Sequence, residues 1–351
     1  MNENTPKASS HSEWRELSPN PTPPEFGSTE GLLTHISHRA MATDFVAILP
    51  NENPEQIEMT IDALEELNEI EAKLTVYQPD SEISQINRLG FQHPVSVSWM
   101  TFRLIERAIQ WSKRTAGAFD ISAGPLVEAW GFTKRQGRKP TNDEITAAKA
   151  RVGYDKVVLD PAKQTIGLAQ ENMAINLGAI GKGFALDRIA SLLHERGIED
   201  FLLHGGNSSV IASGDQEIGS GNGWAVGLAH PTKTKHRIAG IWLRNRALGT
   251  SGSGKQFFHH RGKRYGHVID PRSGLPAGDL QSLTTLAVSA TDADACATGL
   301  YVAGSAQIHK WADHEWFHPT IMIRGGSRQD LCELCSAGEI PWIKNPFDPS
   351  Q

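Results

Sequence analysis

A glycine-rich turn, a lysine and an amphipathic segment follow one another in INLGAIGKGFALDRIASLL, residues 175–193. Gly178, Gly181 and Gly183 permit tight turns and let the backbone approach a ligand closely. The N–H groups at the start of the following helix would favour a phosphate group. The stretch is not a Walker A loop, because it lacks the GxxxxGK[ST] spacing and the hydroxyl that binds Mg²⁺. A plain strand-to-helix turn with a solvated Lys182 explains the same residues, so both interpretations stay open at this point.

A second candidate for chemistry is TDADACAT, residues 291–298. Asp294 and Thr298 stand four residues apart and would share one face of a helix. A carboxylate and a hydroxyl are hard oxygen ligands of the kind that Mg²⁺ binds. Helix capping is the competing interpretation, with Thr291 as the N-cap, Asp294 in a capping box and Asp292 favouring the helix dipole. Capping explains Asp294 but leaves Thr298 without a role.

Three further stretches carry residues suited to anion binding or proton transfer. In RYGHVIDPRSGLP (264–276), His267 precedes a turn. It could act as a general base near neutral pH or serve as a structural hydrogen-bonding residue. GTSGSG (249–254) is predicted to be a glycine-hydroxyl loop whose N–H groups could bind an anion. LLHGGNSSV (202–210) is predicted to contain another glycine turn. Each pattern is weak alone, but together they exceed what a purely structural protein needs.

Composition places the chain among ordinary globular proteins. Its 351 residues are 39% hydrophobic and 21% charged, with a formal net charge of −6 at pH 7, so a substantial core can form. The acidic balance argues against a nucleic-acid partner, which needs a basic face. No stretch approaches the roughly 20 apolar residues that span a bilayer. Without an apolar signal core or a twin arginine near residue 1, the sequence predicts a cytoplasmic protein. A periplasmic location stays open if the natural chain begins earlier.

The three cysteines are too few for a disulfide framework. Cys332 and Cys335 form a single CELC motif, which lacks the other two ligands of a closed zinc site. We therefore expect incidental thiols rather than a redox or metal site.

The elements that would position these residues follow from hydrophobic periodicity. Helices are predicted at residues 53–74 (with Asn53 as N-cap), 99–115, 183–196 and 291–304. Strands are predicted at residues 39–49, twice within 152–176, and at 201–206 and 282–290. The composition of residues 1–30 predicts a disordered tail, followed by one domain over residues 31–345. Because strands and helices mix without strict βαβ alternation, the sequence predicts an α+β fold.

The order and spacing of these pieces resemble the ApbE family, the FAD:protein FMN transferases. Eight stretches stand in family order: AMATDF, LTVYQPDSEISQINR, GAFDISAGPLVEAWGF, NLGAIGKGFALD, HGGNSSV, TSGSGKQFF, YGHVIDPRSGLP and DADACATGLYVAG. One stretch is weakly specific, whereas eight in order are highly specific. The resemblance implies mixed and antiparallel sheets with packed helices and an FAD site between two lobes.

The resemblance further implies Mg²⁺-dependent transfer of FMN from FAD. A Ser or Thr hydroxyl of a target flavoprotein would attack the FMN-side phosphorus, AMP would leave, and FMN would stay on the target through a phosphoester bond. Carried over to this chain, the metal ligands are the carbonyl of Ala179 and the side chains of Asp294 and Thr298. His267 is the base candidate, and Asp294 counts as catalytic with it. Three protein oxygens suit Mg²⁺, which prefers about six and commonly keeps substrate phosphates among them.

The resemblance also implies contacts to FAD along the chain. Met41 or Tyr77 would pack on the flavin or the adenine ring. The expected FAD-binding residues are Met41, Tyr77, Ala118, Phe119, Asp120, Asn176, Lys182, Thr250, Ser251, Gly252, His267 and Ile269.

The chain departs from the family pattern at three places. Asn176 and Asn207 stand where the family usually has Asp, and MAT replaces the common MGT. Asn keeps the shape of Asp but loses its charge, so affinity or rate could fall. Two alternatives to transfer therefore stay open: an Mg²⁺-dependent FAD pyrophosphatase that uses water as acceptor, and an FAD-binding protein without turnover. The expected partner is a flavoprotein that carries a Ser/Thr flavinylation motif.

Overall fold

Strands carry most of the architecture. The computed structural model describes residues 12–17, 33–133, 136–252, 257–328 and 331–348. Within them the strands are β1 (Arg15–Leu17), β2 (Thr34–Ala40), β3 (Thr43–Leu49), β4 (Val95–Ser96), β5 (Val157–Asp160), β6 (Thr165–Leu168), β7 (Phe201–Gly205), β8 (Ser209–Ser213), β9 (Trp224–Ala229), β10 (Arg237–Leu243), β11 (Arg246–Gly252), β12 (Phe257–His260), β13 (Lys263–Gly266), β14 (Ser282–Ala287), β15 (Thr320–Gly325) and β16 (Cys332–Ala337). The helices are α1 (Pro54–Leu74), α2 (Glu82–Leu89), α3 (Trp99–Arg114), α4 (Gly124–Ala129), α5 (Asn142–Ala150), α6 (Gly181–Glu195), α7 (Ala290–Ala303) and α8 (Ser305–Trp311).

One large sheet organises these elements. Its strand order is β1-β16-β15-β14-β11-β8-β7-β3-β2, and the pairs within it are antiparallel. Smaller sheets are formed by β9 with β10, by β12 with β13, and by β4, β6 and β5. Helices and antiparallel sheets together confirm the predicted α+β fold. In the described part of the chain, no helix is both long enough and apolar enough to cross a membrane.

The two faces of the large sheet bury different layers, because successive side chains of a strand point to opposite faces. Phe45, Ala47 and Leu49 of β3 belong to the main core, which also contains the buried residues of α1, α6 and α7. Leu202 and Leu248 belong to a second core, which also contains the buried residues of β9 and β10. The sheet therefore separates a helical layer from a small second sheet.

A third, smaller core lies beside these two. It is built on Trp130, Phe132 and Ile269, with Phe258 and Tyr265 packed against it. The indole N–H of Trp130 donates to the carbonyl of Gly274 at 2.9 Å. This core joins the end of α4, the β12–β13 hairpin and the turn that follows His267.

The predicted strand at 39–49 instead covers the end of β2, a tight turn and β3. β2 and β3 pair antiparallel from Thr34↔Leu49 to Ala40↔Thr43, and Met41 and Ala42 form the turn with φ of 50° and 58°. Positive φ is uncommon outside glycine, asparagine and aspartate, so the sequence carries no turn residue here. The hydrophobic pattern continues through the turn, which is why periodicity predicted one strand.

Residues 12–17 differ from the disorder that composition predicts for residues 1–30. β1 pairs with β16, and the Ser12 hydroxyl accepts a hydrogen bond from the backbone N–H of Ser336 at 2.7 Å. The guanidinium of Arg324 lies 4.0 Å from the centre of the Trp14 ring. Pairing with a strand more than 300 residues away leaves no local sequence signal. The rest of the predicted tail lies outside the described residues.

Other predicted elements fall close to their expected places. The Asn53 side chain caps α1 by accepting from the N–H groups of Glu55 and Gln56. The N-cap of α7 is Ser289, which accepts from the N–H of Asp292, so the competing interpretation of Thr291 and Asp294 as a capping box is wrong. Residues 249–252 of the predicted GTSGSG loop belong to β11, and its last two residues lie outside the described part.

The CELC motif lies on β16. Cys332, Cys335 and Cys296 are buried and free of disulfides. Burial raises the pKa of the Cys332 thiol to about 11, and burial also raises the pKa of Cys335. Protonated, buried thiols behave as small apolar side chains rather than as nucleophiles.

Candidate functional site

A single cavity brings the predicted site residues together. It has a volume of about 1230 Å³ and lies where the large sheet, the α6 and α7 region and the β9–β10 sheet approach one another. We call it the central cavity. Its lining includes Met41, Tyr77, Ala118, Phe119, Asp120, Asn176, Ala179, Lys182, Thr250, Ser251, Gly252, His267, Ile269, Asp294 and Thr298. These are all the residues that the sequence assigned to catalysis, FAD binding or metal binding, although they are spread over more than 250 positions.

Asp294 is held at the meeting point of three elements. It is 6% exposed, and its Oδ2 accepts the N–H of Gly183 at the start of α6, at 2.8 Å. The Ser209 hydroxyl of β8 lies 2.7 Å from Oδ1 and 2.9 Å from Oδ2. Burial raises the pKa of Asp294 to about 6, while the charge of Lys182 opposes the rise. The carboxylate is therefore fixed in place but incompletely compensated.

The contacts of Asp294 depend on close packing of α7 against α6 and the large sheet. A Cβ atom added to Gly183 would lie 2.1 Å from the carbonyl oxygen of Ala290. A Cβ added to Gly249 of β11 would lie 2.4 Å from the carbonyl carbon of Ala293. Both distances are shorter than any van der Waals contact, so only glycine lets α7 lie this close to α6 and to the sheet. Asp294 reaches the glycine turn because of this approach.

Two carboxylates outside the cavity fix the first turn of α7. Asp187 of α6 accepts hydrogen bonds from the Ser289 hydroxyl, the Ala290 N–H, and the hydroxyl and N–H of Thr291. On the other side, Asp292 accepts from Arg107 and from the indole N–H of the Trp111 ring of α3. The start of α7 is thus clamped between two helices, which sets the height of Asp294 above the sheet.

Thr298 lacks the local hydrogen bond that several other threonines make. Thr60, Thr115 and Thr146 each donate to the carbonyl four residues earlier, which is the usual local partner in a helix. Within the described residues, the Thr298 hydroxyl has no hydrogen-bond partner, and its residue lines the central cavity. One turn from Asp294, this hydroxyl is available to a ligand.

The donor set fits a hard cation. Asp294 offers an incompletely compensated carboxylate, Thr298 offers a hydroxyl, and Ala179 belongs to the same cavity wall. The described residues contain no group of three or more His, Cys, Asp or Glu side chains that could hold a metal. A metal here would rest on one carboxylate and neutral oxygens, which leaves coordination positions for phosphate oxygens. This is the pattern that Mg²⁺ favours.

The glycine turn before α6 is stabilised by asparagine side chains. The Oδ1 atom of Asn176 accepts the N–H of Gly178 at 2.8 Å. Asn87 of α2 accepts from the N–H of Ile175 at 2.7 Å and donates to its carbonyl at 3.0 Å. A turn of this kind needs only a side-chain oxygen, which Asn supplies as well as Asp. The departure at Asn176 therefore preserves the turn, and α6 begins at Gly181 with Lys182 in its first turn.

Asn207 forms the tight turn between β7 and β8. Its φ is 61°, and the preceding Gly206 has a φ of 60°. Asparagine is among the residues that best tolerate this left-handed region. The second family departure is thus compatible with the predicted glycine turn, and Asn207 lines the central cavity.

His267 stands at the junction between the β12–β13 hairpin and a structured turn. Its ring contacts the edge of the Phe132 ring, with centroids 6.3 Å apart. After it, Ile269 is buried and bridges to Pro276, and Asp270 accepts from the N–H and the guanidinium of Arg272. These contacts fix the backbone on the C-terminal side of His267, at the cavity wall.

The remaining predicted FAD contacts differ in how firmly they are held. Tyr77 is 76% exposed, so its ring is free to cover a bound ligand. Met41 is half-buried at the hairpin turn. Asp120 accepts from Ser122 and from the N–H of Tyr154, so it also organises its own loop. Burial raises the pKa of the Asp120 carboxyl.

Sequence reasoning missed several residues that shape this site. Ser209 lies within the HGGNSSV stretch, and Asp187 closes the NLGAIGKGFALD stretch. Their hydrogen bonds to Asp294 and to the start of α7 join segments that are far apart in the sequence, and hydrophobic periodicity does not reveal such contacts. His204 and Arg237 also line the central cavity, and no local motif marks them.

Comparisons with known proteins find related sequences and folds over most of the chain. The sequence model of the ApbE family matches residues 37–320. A Haemophilus influenzae protein named FAD:protein FMN transferase is 32% identical over 306 residues, which cover 85% of each chain. The solved structure of the flavin transferase ApbE from Vibrio cholerae has a TM-score of 0.75 at 26% identity, covering 88% of this chain and 98% of its own. The ApbE protein of Thermotoga maritima gives 0.75 at 27% identity, with 84% and 94% covered.

Proposed function

The chain belongs to the ApbE family, and from this premise we propose that it transfers the FMN part of FAD to a Ser or Thr hydroxyl of an acceptor flavoprotein. The observation that carries the proposal is the convergence of Asp294, Thr298, Lys182 and His267 on one cavity large enough for a dinucleotide. Ligand pockets of small molecules commonly measure about 300–1,000 Å³, and the central cavity exceeds that range.

The reaction exchanges one phosphorus–oxygen bond for another. The acceptor hydroxyl oxygen forms a bond to the FMN-side phosphorus, and the bond between that phosphorus and the bridging oxygen breaks. AMP leaves with the bridging oxygen, and the acceptor retains FMN as a phosphoester. The hydroxyl proton goes to His267, which is the base candidate at the cavity wall. No oxidant or reductant is needed.

The charged and the neutral residues of the cavity have different roles in this reaction. Lys182, in the first turn of α6, offers a positive charge where the helix N-terminus already favours phosphate. Asp294, Thr298 and the Ala179 carbonyl would hold Mg²⁺, which supplies charge neutralisation on the pyrophosphate when bound. Gly183 and Ser209 keep the Asp294 carboxylate oriented. Tyr77 and Met41 would cover a ring of FAD.

The test follows the fate of FAD. The protein is incubated with FAD and Mg²⁺, with and without a peptide that carries a flavinylation motif, and AMP release and peptide mass are measured. A peptide that gains the mass of FMN, with AMP in equal amount, would support transfer. The same incubation with EDTA should yield neither product.

Other outcomes would favour the alternatives. AMP and free FMN in equal amounts, without labelled peptide, would favour an FAD pyrophosphatase with water as acceptor. FAD that stays bound and intact under every condition would favour a binding protein. Either result would overturn the proposed transfer to that acceptor.

A further inference from the structure

The β12–β13 hairpin, residues 257–266, stands apart from the large sheet. Its strands pair in the register Phe257↔Gly266 to His260↔Lys263. Phe258 and Tyr265 lie opposite each other and pack on the Trp130 ring, with centroids 6.2 and 5.5 Å away. One face of the hairpin is therefore anchored on the third core.

The other face of the hairpin is partly exposed, and we call it the exposed face. Residues that pair directly lie on the same side of the sheet, so Phe257, His259 and Arg264 share the face opposite to Phe258. Phe257 remains 43% exposed, and the Arg264 guanidinium lies 4.0 Å from its ring centre. The exposed face thus presents the Phe257 ring, with the Arg264 guanidinium over it and the His259 ring against it.

The hairpin is basic, whereas the chain as a whole is acidic. Residues 257–266 read FFHHRGKRYG and contain Arg261, Lys263 and Arg264 but no carboxylate. The chain as a whole carries a formal net charge of −6. In the described part of the structure, neither Arg261 nor Lys263 has a carboxylate within ion-pair distance, although Lys263 lies 5.6 Å from the centre of the Tyr265 ring. A positive potential of this kind attracts acidic partners over several ångströms.

The hairpin is followed directly by a residue of the central cavity. Gly252, the last described residue before it, lines the cavity, and so does His267, the residue directly after it. A hydroxyl that approaches His267 must bring its own chain close to this hairpin. The hairpin is therefore placed to contact the acceptor rather than only the nucleotide.

We propose that the exposed face and tip of the hairpin bind an acidic segment of the acceptor protein and so present its hydroxyl to His267. The inference rests on the proposed function, because only a protein acceptor gives the hairpin a partner. The ring of Phe257 would cover apolar atoms of that segment, and Arg261 and Lys263 would pair with its carboxylates. Rim charges of this type act mainly on association and are screened by salt.

Binding of two synthetic peptides to the FAD-loaded protein tests the inference. Both peptides carry one Thr and a fluorophore; one has Asp residues on both sides of the Thr, and the other has Asn at the same positions. Dissociation constants are measured by fluorescence anisotropy at low and at high NaCl. We expect the Asp peptide to bind at least about tenfold more tightly at low salt, with the difference shrinking as salt rises.

Two double variants with the same change in net charge distinguish an effect of the hairpin from an effect of overall charge. Arg261→Glu with Lys263→Glu reverses the hairpin, and Arg88→Glu with Lys310→Glu makes the same change in net charge at exposed positions of α2 and α8. We expect only the hairpin variant to lose the preference for the Asp peptide. Its affinity for FAD and its circular dichroism spectrum should equal those of the wild type.

Three results would overturn the inference. They are equal binding of the two peptides or no binding of either, equal loss of peptide affinity in both variants, and equal loss of FAD affinity and peptide affinity in the hairpin variant. Absence of FMN transfer to a peptide that binds in the predicted manner would instead count against the proposed function. The two failures are therefore distinguishable.

Discussion

Asp294 combines a large folding cost with a specific place in the site. Burial raises its pKa to about 6, above the 3.8 of an unperturbed aspartate. Between about pH 4 and pH 6 the unfolded chain releases this proton while the folded, metal-free protein retains it. Folding stability therefore falls as pH rises through that window and stays reduced above it. Two units of pKa correspond to about 3 kcal/mol.

We predict that Asp294→Asn abolishes turnover and stabilises the metal-free protein at neutral pH. The amide can accept from the Gly183 N–H and donate to the Ser209 hydroxyl, without a buried charge. At pH 8 in EDTA, the free energy of unfolding should rise by up to about 3 kcal/mol, and the gain should vanish near pH 4. Urea denaturation across pH measures it. A variant that is less stable at pH 8, or that keeps full activity, would contradict the assignment.

We predict that His267→Ala slows transfer without weakening FAD binding. A positioned base contributes about 10²- to 10⁴-fold to rate, so kcat should fall at least about a hundredfold. The backbone after position 267 is held by Ile269 and by the Asp270–Arg272 pair, which the substitution leaves in place. Transfer rate and FAD affinity are measured side by side. Equal losses in both would assign His267 a structural role instead.

The helices show which boundaries local sequence patterns can predict and which they cannot. The 3.6-residue period and the Asn53 cap predicted α1 within one residue of its start, because both signals are local. The start of α7 was misassigned because Ser289 and Thr291 are both acceptable caps in sequence. Both hydroxyls donate to Asp187 on another helix, but only the Ser289 hydroxyl also accepts the N–H of Asp292 and so caps α7. Contacts with a distant side chain such as Asp187 cannot be read from the helix itself.

We predict that Gly249→Ala displaces α7 and reduces both stability and activity. The new methyl group would lie 2.4 Å from the carbonyl carbon of Ala293 and 2.6 Å from the Asp294 nitrogen, so backbone must move. Overpacking of this kind costs about 1–3 kcal/mol or more. Gly278→Ala is the matched control, because no atom lies within 4 Å of its added methyl group. Thermal unfolding and transfer rate should change only in the first variant.

At the scale of the whole molecule, the α+β class followed from the mixture of patterns, whereas the strand order did not. β11 pairs with β8 and β14, and β16 pairs with β1, so several neighbours in the sheet are far apart in the chain. The site residues were identified through the family resemblance, since single motifs stayed ambiguous. Their convergence on one cavity is a property of this non-local sheet order. The contacts of Ser209 and Asp187 depend on it as well.

We predict that deleting residues 1–17 destabilises the protein and promotes association more than deleting residues 1–11, which leaves β1 in place. The longer deletion removes β1, its pairing with β16 and the stacking of Trp14 on Arg324. β16 would then become an exposed sheet edge, which is prone to pair with another chain. Thermal unfolding and size-exclusion chromatography check both deletions. Equal behaviour of the two would show that β1 contributes nothing to the sheet.

The buried cysteines give this molecule internal reporters of local opening. Cys296 lies two residues after Asp294 on α7, and the Cys335 thiol donates to the carbonyl of Ser12 beside β1 at 3.0 Å. Because both are buried in the native state, a thiol-reactive dye can label Cys296 only when α7 opens, and Cys335 only when the segment that covers it beside β1 opens. The rate at which each cysteine is labelled would therefore time the opening of α7 and of the segment beside β1 separately, without any engineered probe.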